Sequence, residues 1–169
     1  MLKKILPLLC AAMLTNVHAY KVGDSIDPAI AKQIKLDNSK VTVVDFFASW
    51  CVSCKHELPL VDKVNTAMNK KKFEIIGVDT DKDMAKGKAF QKALGLKFRV
   101  YNDNKQEIIK AFNPIGMPAL YVIKDGKVID TLMGAVADID KVLTNRLAEE
   151  KIVTRRYRLF YCSRRQEIN

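Results

Sequence analysis

The chain has 169 residues, of which 49% are hydrophobic and 28% are charged, and its formal net charge is +10. This length fits one domain with a buried core, and the composition excludes a wholly disordered chain, a collagen-like repeat and a disulfide-dense scaffold. The net charge alone suggests an acidic partner such as nucleic acid or an anionic membrane, so the position of the basic residues along the chain decides its meaning.

Residues 1–19 are predicted to be an export signal peptide. Lys3-Lys4 precedes an uncharged, mostly apolar run over 5–14, and Val17–Ala19 has the small-x-small pattern of a cleavage site. Cleavage near Ala19 would start the mature chain at Tyr20 in the periplasm or another extracytoplasmic space. An uncleaved membrane anchor is the minority alternative, because the apolar run is too short to span a bilayer.

Residues 20–150 are predicted to form one domain in which strands and helices alternate. Continuous apolar runs are typical of strands that are buried on both faces. The predicted elements are a short helix (29–36), a strand (41–47), a helix (51–69), a strand (73–78), a helix (82–94), a short strand (98–101), a short helix (105–112), a hairpin of two strands (119–123 and 127–132) and a closing helix (138–150). This order predicts an α/β fold with a mixed central sheet flanked by helices.

Two cysteines separated by two residues, Cys51 and Cys54, carry the predicted chemistry. They follow a buried strand and lie at a predicted helix start, where unpaired backbone N–H groups and the helix dipole stabilise a thiolate. Cys51 is therefore the candidate nucleophile, and Cys54 is the candidate resolving thiol of a redox-active disulfide. A zinc site would need a second pair of ligands, so neither a metal nor another cofactor is expected.

Other ionisable residues lie close to this pair in sequence. Asp45 belongs to the apolar strand over 41–47, so burial should raise the pKa of its carboxyl and suit it to exchange a proton with a thiol. Asp79 and Asp81 are candidates for tuning Cys54, although exposed loop acids are the favoured interpretation. His56 is predicted to be a surface residue, because it lies on a different helix face from Cys54.

The segment FFASWCVSCKHELP resembles the active-site segment of thioredoxin-like proteins, and it is most similar to that of exported thiol-disulfide oxidoreductases of the TlpA/ResA type. The resemblance covers about residues 41–150 and implies a thioredoxin-like fold with a helix-containing insert over 82–100. Met117-Pro118 matches the cis-proline loop of the family, which binds the substrate backbone beside the dithiol.

The resemblance also implies roles for individual residues. It implies that Trp50, Met117 and Pro118 bind substrate, and that Asp45 is the proton acceptor for the resolving thiol. Gly77 departs from the pattern, because it stands where thioredoxin carries a lysine opposite the buried acid. Without that cation, the pKa of the buried carboxyl should lie higher still.

The leading interpretation is an exported disulfide reductase of partner proteins such as apocytochrome c, recharged by a membrane electron donor. The alternatives are a disulfide oxidant or isomerase, and a membrane-surface or partner-binding module that works through a basic tail over 151–169. That tail has six basic residues against one acidic residue, and a solvated tail without a role is favoured over a patch for anionic lipid. Residues 20–150 keep a net charge of only +3, which gives no support to a nucleic-acid partner.

Overall fold

A mixed five-stranded sheet forms the centre of the fold in the computed structural model, which describes residues 19–149. Residues 1–18 of the predicted signal peptide and the predicted basic tail over 151–169 lie outside the described residues. The strands are β1 (Val41–Phe47), β2 (Phe73–Asp79), β3 (Arg99–Asn102), β4 (Ala119–Lys124) and β5 (Lys127–Met133), in the spatial order β3-β2-β1-β4-β5. The strand β1 is parallel to β2 and antiparallel to β4, so the predicted mixed sheet is confirmed.

Among the described residues, five helices cover the two faces of the sheet: α1 (Pro28–Gln33), α2 (Val52–Ala67), α3 (Met84–Leu94), α4 (Glu107–Phe112) and α5 (Ile139–Glu149). All seven residues of β1 are buried, because alternate side chains enter two separate cores. Val43 and Phe47 pack in the core formed with α2, α3 and α5, whereas Val44 and Phe46 pack in the core formed with α1 and α4. Within residues 19–149, no helix combines the length and the apolar character that a membrane crossing requires.

The helix ends differ from the predicted ones for local reasons. The first helix stops at Gln33, because Lys35 has a φ of 54°, in the left-handed region that a right-handed helix cannot continue through. The third helix begins at Met84, because the carboxylate of Asp83 accepts hydrogen bonds from the first-turn N–H groups and makes that residue the N-cap. It ends at the left-handed Gly95, as the sequence predicts.

Gly77 lies directly opposite Asp45 in the parallel pairing of β1 and β2. A Cβ atom at this position would lie 2.8 Å from ring carbons of both Phe47 and Phe98. We therefore expect Gly77→Ala to lower the free energy of unfolding by about 1–3 kcal/mol, despite the smaller conformational entropy of an unfolded chain with alanine. Gly116→Ala is the control, because a Cβ there meets nothing within 4 Å. Urea unfolding of both variants measures the difference, and equal stabilities would contradict the packing argument.

Candidate active site

Cys51 and Cys54 form a disulfide at the start of α2, with their sulfur atoms 2.03 Å apart. Cys51 is the N-cap residue of this helix, and its Sγ accepts a hydrogen bond from the backbone N–H of Cys54 at 3.2 Å. Cys51 is 7% exposed, whereas Cys54 is fully buried. A partner can therefore reach Cys51 more easily than Cys54. The assignment of Cys51 as the nucleophile stays a prediction that this geometry supports.

The loop before β4 lies at the same end of the sheet as the disulfide. The peptide bond between Met117 and Pro118 is cis, as the family resemblance implies. Because β4 runs antiparallel to β1 and Ala119 pairs with Phe46, this loop lies at the sheet end where the chain leaves β1 towards Cys51. Met117 packs against the core that contains both cysteines. The structure thus places the cis-proline loop and the disulfide at one end of the sheet.

Three large apolar side chains near these two segments are exposed to solvent, and we call them the apolar rim: Trp50, Val52 and Ile115. Trp50 and Val52 flank Cys51 along the chain, and Ile115 precedes Met117 by two residues. Ile115 has 89% of its surface exposed. Exposed apolar side chains that cluster around a reactive group are typical of a surface that binds another molecule.

Asp45 lies in β1, on the face of the sheet that α2 covers. Its side chain is fully buried, and its Oδ1 has no hydrogen-bond partner among the described residues. Burial raises the pKa of the Asp45 carboxyl well above its usual value, and the charge of Glu57 raises it further. The two residues paired with Asp45 in the sheet, Gly77 of β2 and Leu120 of β4, supply no cation. The expected buried acid with a raised pKa is therefore present in the structure.

Glu57 is a site residue that the sequence analysis did not identify. It lies one helical turn after Cys54 on α2 and is 5% exposed. Its Oε2 accepts a hydrogen bond of 3.4 Å from the backbone N–H of Val136, and its Oε1 has no partner among the described residues. Burial raises the pKa of Glu57 to about 7, although the Val136 hydrogen bond lowers it. The i, i+3 spacing from a buried cysteine is the signal that would have placed this carboxyl on the inner face of α2.

The prediction that Asp79 and Asp81 are exposed is wrong, because they are only 1% and 7% exposed. The reason is that α3 packs over the end of β2 and brings the side-chain amide of Gln91 to Asp79, with a hydrogen bond of 2.5 Å to Oδ2. The carboxylate of Asp81 accepts hydrogen bonds from the backbone N–H and the hydroxyl of Ser49. His56 is exposed on α2, as predicted.

This arrangement combines a slightly exposed cysteine (Cys51), a fully buried cysteine (Cys54) and two buried carboxyls. Resolution of a disulfide exchange requires the second thiol to lose a proton, and carboxyls with raised pKa values accept protons near neutral pH. Among residues 19–149, no group of three or more His, Cys, Asp or Glu side chains is arranged to hold a metal ion. The chemistry that these residues fit is thiol–disulfide exchange.

The sheet, the helix that begins at a dithiol and the neighbouring cis-proline loop define a thioredoxin-like fold, and solved structures share it. A candidate thiol:disulfide interchange protein DsbE from Chlorobium tepidum has a TM-score of 0.67 and 20% sequence identity, and the match covers 78% of this chain and 98% of that chain. The chain belongs to the AhpC/TSA family, whose model matches residues 25–131.

Curated relatives carry names from disulfide chemistry. The thiol-disulfide oxidoreductase ResA of Bacillus thuringiensis subsp. konkukian is 36% identical over 106 residues, which are 61% of this chain and 61% of ResA. The protein disulfide-isomerase erp38 of Neurospora crassa is 30% identical over 133 residues, which are 78% of this chain and 33% of erp38. The chain thus matches about three fifths of the ResA length. The predicted resemblance to thioredoxin-like proteins of the ResA type is confirmed.

Proposed function

We propose that the protein is an exported thiol-disulfide oxidoreductase that reduces disulfides of partner proteins with the Cys51/Cys54 dithiol. The observation that carries this proposal is the disulfide at the start of α2, with Cys51 7% exposed and Cys54 fully buried. The similarity to the thiol-disulfide oxidoreductase ResA supports the same activity.

The proposed reaction begins with the reduced protein, in which the Cys51 thiolate attacks one sulfur of a substrate disulfide. A mixed disulfide forms on Cys51, and the other substrate sulfur leaves as a thiolate. The Cys54 thiol then gives its proton to the Asp45 carboxylate, and the resulting thiolate attacks the Sγ of Cys51. The Cys51–Cys54 disulfide forms and the second substrate sulfur leaves, so two electrons have passed from the protein to the substrate.

Substrate binding is proposed to use the apolar rim together with the cis-proline loop. Trp50 is largely exposed beside Cys51, and Met117-Pro118 lies at the same end of the sheet. An extended substrate segment would place its apolar side chains on the rim and its backbone along the loop. Binding of this kind favours partners whose cysteines lie in unfolded or extended chain, and apocytochrome c is the proposed example.

Export, partners and location belong to the same proposal. The signal-peptide pattern over residues 1–19 supports release into the periplasm or another extracytoplasmic space. A reductase in an oxidising compartment needs a supply of electrons, so a membrane electron donor is proposed as the second partner. The basic tail over 151–169 supports a weak contact with an anionic membrane surface.

Disulfide isomerisation is the second candidate function, and the similarity to erp38 favours it. An isomerase also attacks a substrate disulfide with its first cysteine, but the same substrate releases it with a different pairing. Reactivation of ribonuclease with scrambled disulfides measures isomerisation, whereas precipitation of reduced insulin measures reduction. The proposed reductase reduces insulin and does not reactivate scrambled ribonuclease faster than a small dithiol does.

Trapping with Cys54→Ser tests the proposed function directly. Without the resolving thiol, the mixed disulfide on Cys51 should persist, and mass spectrometry of the captured proteins names the substrates. The full chain is used with Cys162→Ser in the background, so that no other thiol of the mature chain captures a partner. The matched control adds Cys51→Ser, which should capture nothing. Equal capture by the control, or capture through a residue other than Cys51, would contradict the proposal.

A further inference from the structure

The carboxylate of Asp81 holds the turn that leads into the disulfide. Its Oδ2 accepts a hydrogen bond of 2.7 Å from the backbone N–H of Ser49, and its Oδ1 accepts one of 2.9 Å from the Ser49 hydroxyl. Ser49 lies two residues before Cys51. Hydrogen bonds to a carboxylate are among the strong ones in proteins, and two of them on one residue restrict both its backbone and its side chain.

Asp81 is itself held in place by the residue that ends β2. Its backbone N–H donates to Asp79 Oδ1 at 2.9 Å, and the other oxygen of Asp79 accepts from Gln91 of α3. The helix lies so close that a Cβ atom on Gly87 would overlap the Asp79 carboxylate. The insert helix α3 therefore packs against Asp79, which in turn fixes Asp81 and the turn before Cys51.

Thr80, between the two acids, connects the same segment to the cis-proline loop. Its hydroxyl lies 3.1 Å from the carbonyl oxygen of Phe47 and 3.6 Å from the Sδ of Met117. Its backbone N–H also donates to Phe47, at 2.9 Å. Residues 79–81 thus contact both the chain that leads to Cys51 and the residue that precedes Pro118.

We infer that Asp81 is a positioning residue for Cys51. Through its hydrogen bonds to Ser49, Asp81 keeps the Cys51 sulfur at the N-terminus of α2. This inference rests on the proposed role of Cys51 as the nucleophile. The Cys51 sulfur accepts the Cys54 N–H bond only while Cys51 keeps its N-cap conformation, and the N–H of Cys51 donates to the carbonyl of Ala48 at 3.1 Å in the same turn. Release of Ser49 frees this turn, so the thiolate loses the helix N-terminus for part of the time.

The direction in which the pKa of Cys51 shifts distinguishes a positioning role of Asp81 from a direct effect of its charge. Removal of a nearby negative charge favours a thiolate by Coulomb's law and would lower the pKa of Cys51. Loss of the helix N-terminus raises that pKa towards the ordinary thiol value. The other buried carboxyls at this end of the fold belong to four residues: Asp45 of β1, Asp79 of β2, Glu57 of α2, and Asp103, whose backbone N–H donates to the carbonyl of Asp79. The test leaves all four unchanged.

The test is the pH dependence of Cys51 alkylation by iodoacetamide in the reduced full chain, read by mass spectrometry of the Cys51 peptide. We expect Asp81→Ala to raise the pH midpoint of Cys51 alkylation by about one unit. Asp81→Asn should restore a midpoint close to that of the unsubstituted protein, because an amide can accept from the Ser49 N–H and donate to the Ser49 hydroxyl. Asp83→Asn is the matched control, because it removes the same charge two residues away and keeps the cap of α3.

Ser49→Ala gives a second test, which stands if Asp81→Ala does not fold. It removes only the hydroxyl bond, so we expect a smaller shift in the same direction. A folded Asp81→Ala protein whose midpoint is unchanged or lower would overturn the inference, as would an equal rise in Asp83→Asn. These outcomes leave the proposed function standing, because alkylation of Cys51 requires no substrate. The proposed function fails separately if Cys51 is dispensable for disulfide exchange.

Discussion

Replacement of Cys51 by alanine is expected to reduce the rate of insulin disulfide reduction by about 1000-fold or more, which is the scale at which a lost nucleophile leaves only residual catalysis. The reason is that Cys54 is fully buried, so no second sulfur of the dithiol can reach a substrate. The assay follows the turbidity of reduced insulin with a small dithiol as the electron source. The variant cannot form the disulfide. It should nevertheless remain folded, because so short a disulfide loop stabilises the fold little.

Two matched variants test whether the loss of insulin reduction comes from the Cys51 sulfur. Cys162→Ala removes a thiol that lies outside the described residues, and we expect its insulin rate to equal that of the unsubstituted chain. Cys54→Ala should keep a single attack per molecule while losing turnover, because Cys51 still forms the mixed disulfide. If Cys51→Ala retained more than a small fraction of the rate, the nucleophile would have to be assigned elsewhere.

Replacement of Asp45 by asparagine is expected to stabilise the oxidised protein at pH 8 and to have almost no effect near pH 4. The raised pKa means that the folded state keeps a proton which the unfolded chain loses above its ordinary value of 3.8. The stability of the unsubstituted protein therefore falls as the pH rises from there, by up to about 1.4 kcal/mol per pH unit for each such carboxyl. Asparagine holds no titrating proton, so the variant lacks this part of the decline.

Glu57→Gln should remove a similar decline between pH 4.5 and about 7, the range over which the pKa of Glu57 is raised. Asp37→Asn is the control with the opposite sign. Hydrogen bonds from Ser39 lower the pKa of Asp37 to about 2, so its contribution is present above pH 3.8 and is lost as the pH falls. Urea unfolding at several pH values measures all three variants. Parallel stability curves for Asp45→Asn and the unsubstituted protein would refute the buried-acid assignment.

The same carboxyl should affect the resolving step. In Asp45→Ala, decay of the mixed disulfide is expected to slow by about 100-fold at neutral pH, because proton transfer by a positioned group contributes on this scale. Stopped-flow measurement with a fluorescent peptide disulfide follows that decay. Its pH–rate profile should also change, and an unchanged profile would remove Asp45 from the reaction.

The elements that sequence reasoning predicted well are those whose pattern is set locally. The run over 41–47 is continuous and β-branched, and it forms β1 with the predicted bounds. The hairpin turn at Asp125-Gly126 forms with both residues at positive φ, as turn chemistry requires. The cysteine pair and the cis-proline loop could be predicted because each has a short motif with a fixed place in the resemblance.

The residues that were missed are charged side chains whose burial depends on distant parts of the chain. Asp79 is buried because α3 packs over it, and no local pattern around it shows this contact. Glu57 stands in a helix segment with charged neighbours, yet its carboxyl turns inward to the backbone of Val136, 79 residues later in the chain. The burial of such groups depends on how the whole chain packs. It provides two features of the site: the second buried carboxyl, Glu57, and the hydrogen bonds from Ser49 to Asp81.

The position of Cys54 sets how long a partner stays attached in the proposed reaction. Cys54 has no exposed surface, and it lies in the first turn of α2 within disulfide distance of Cys51. It therefore attacks the Cys51 sulfur from inside the protein, at a high effective concentration that this fixed geometry provides. The lifetime of the covalent complex then depends on how quickly Cys54 gives up its proton. The buried carboxyl of Asp45, which accepts this proton in the proposed reaction, therefore sets how quickly a partner is released.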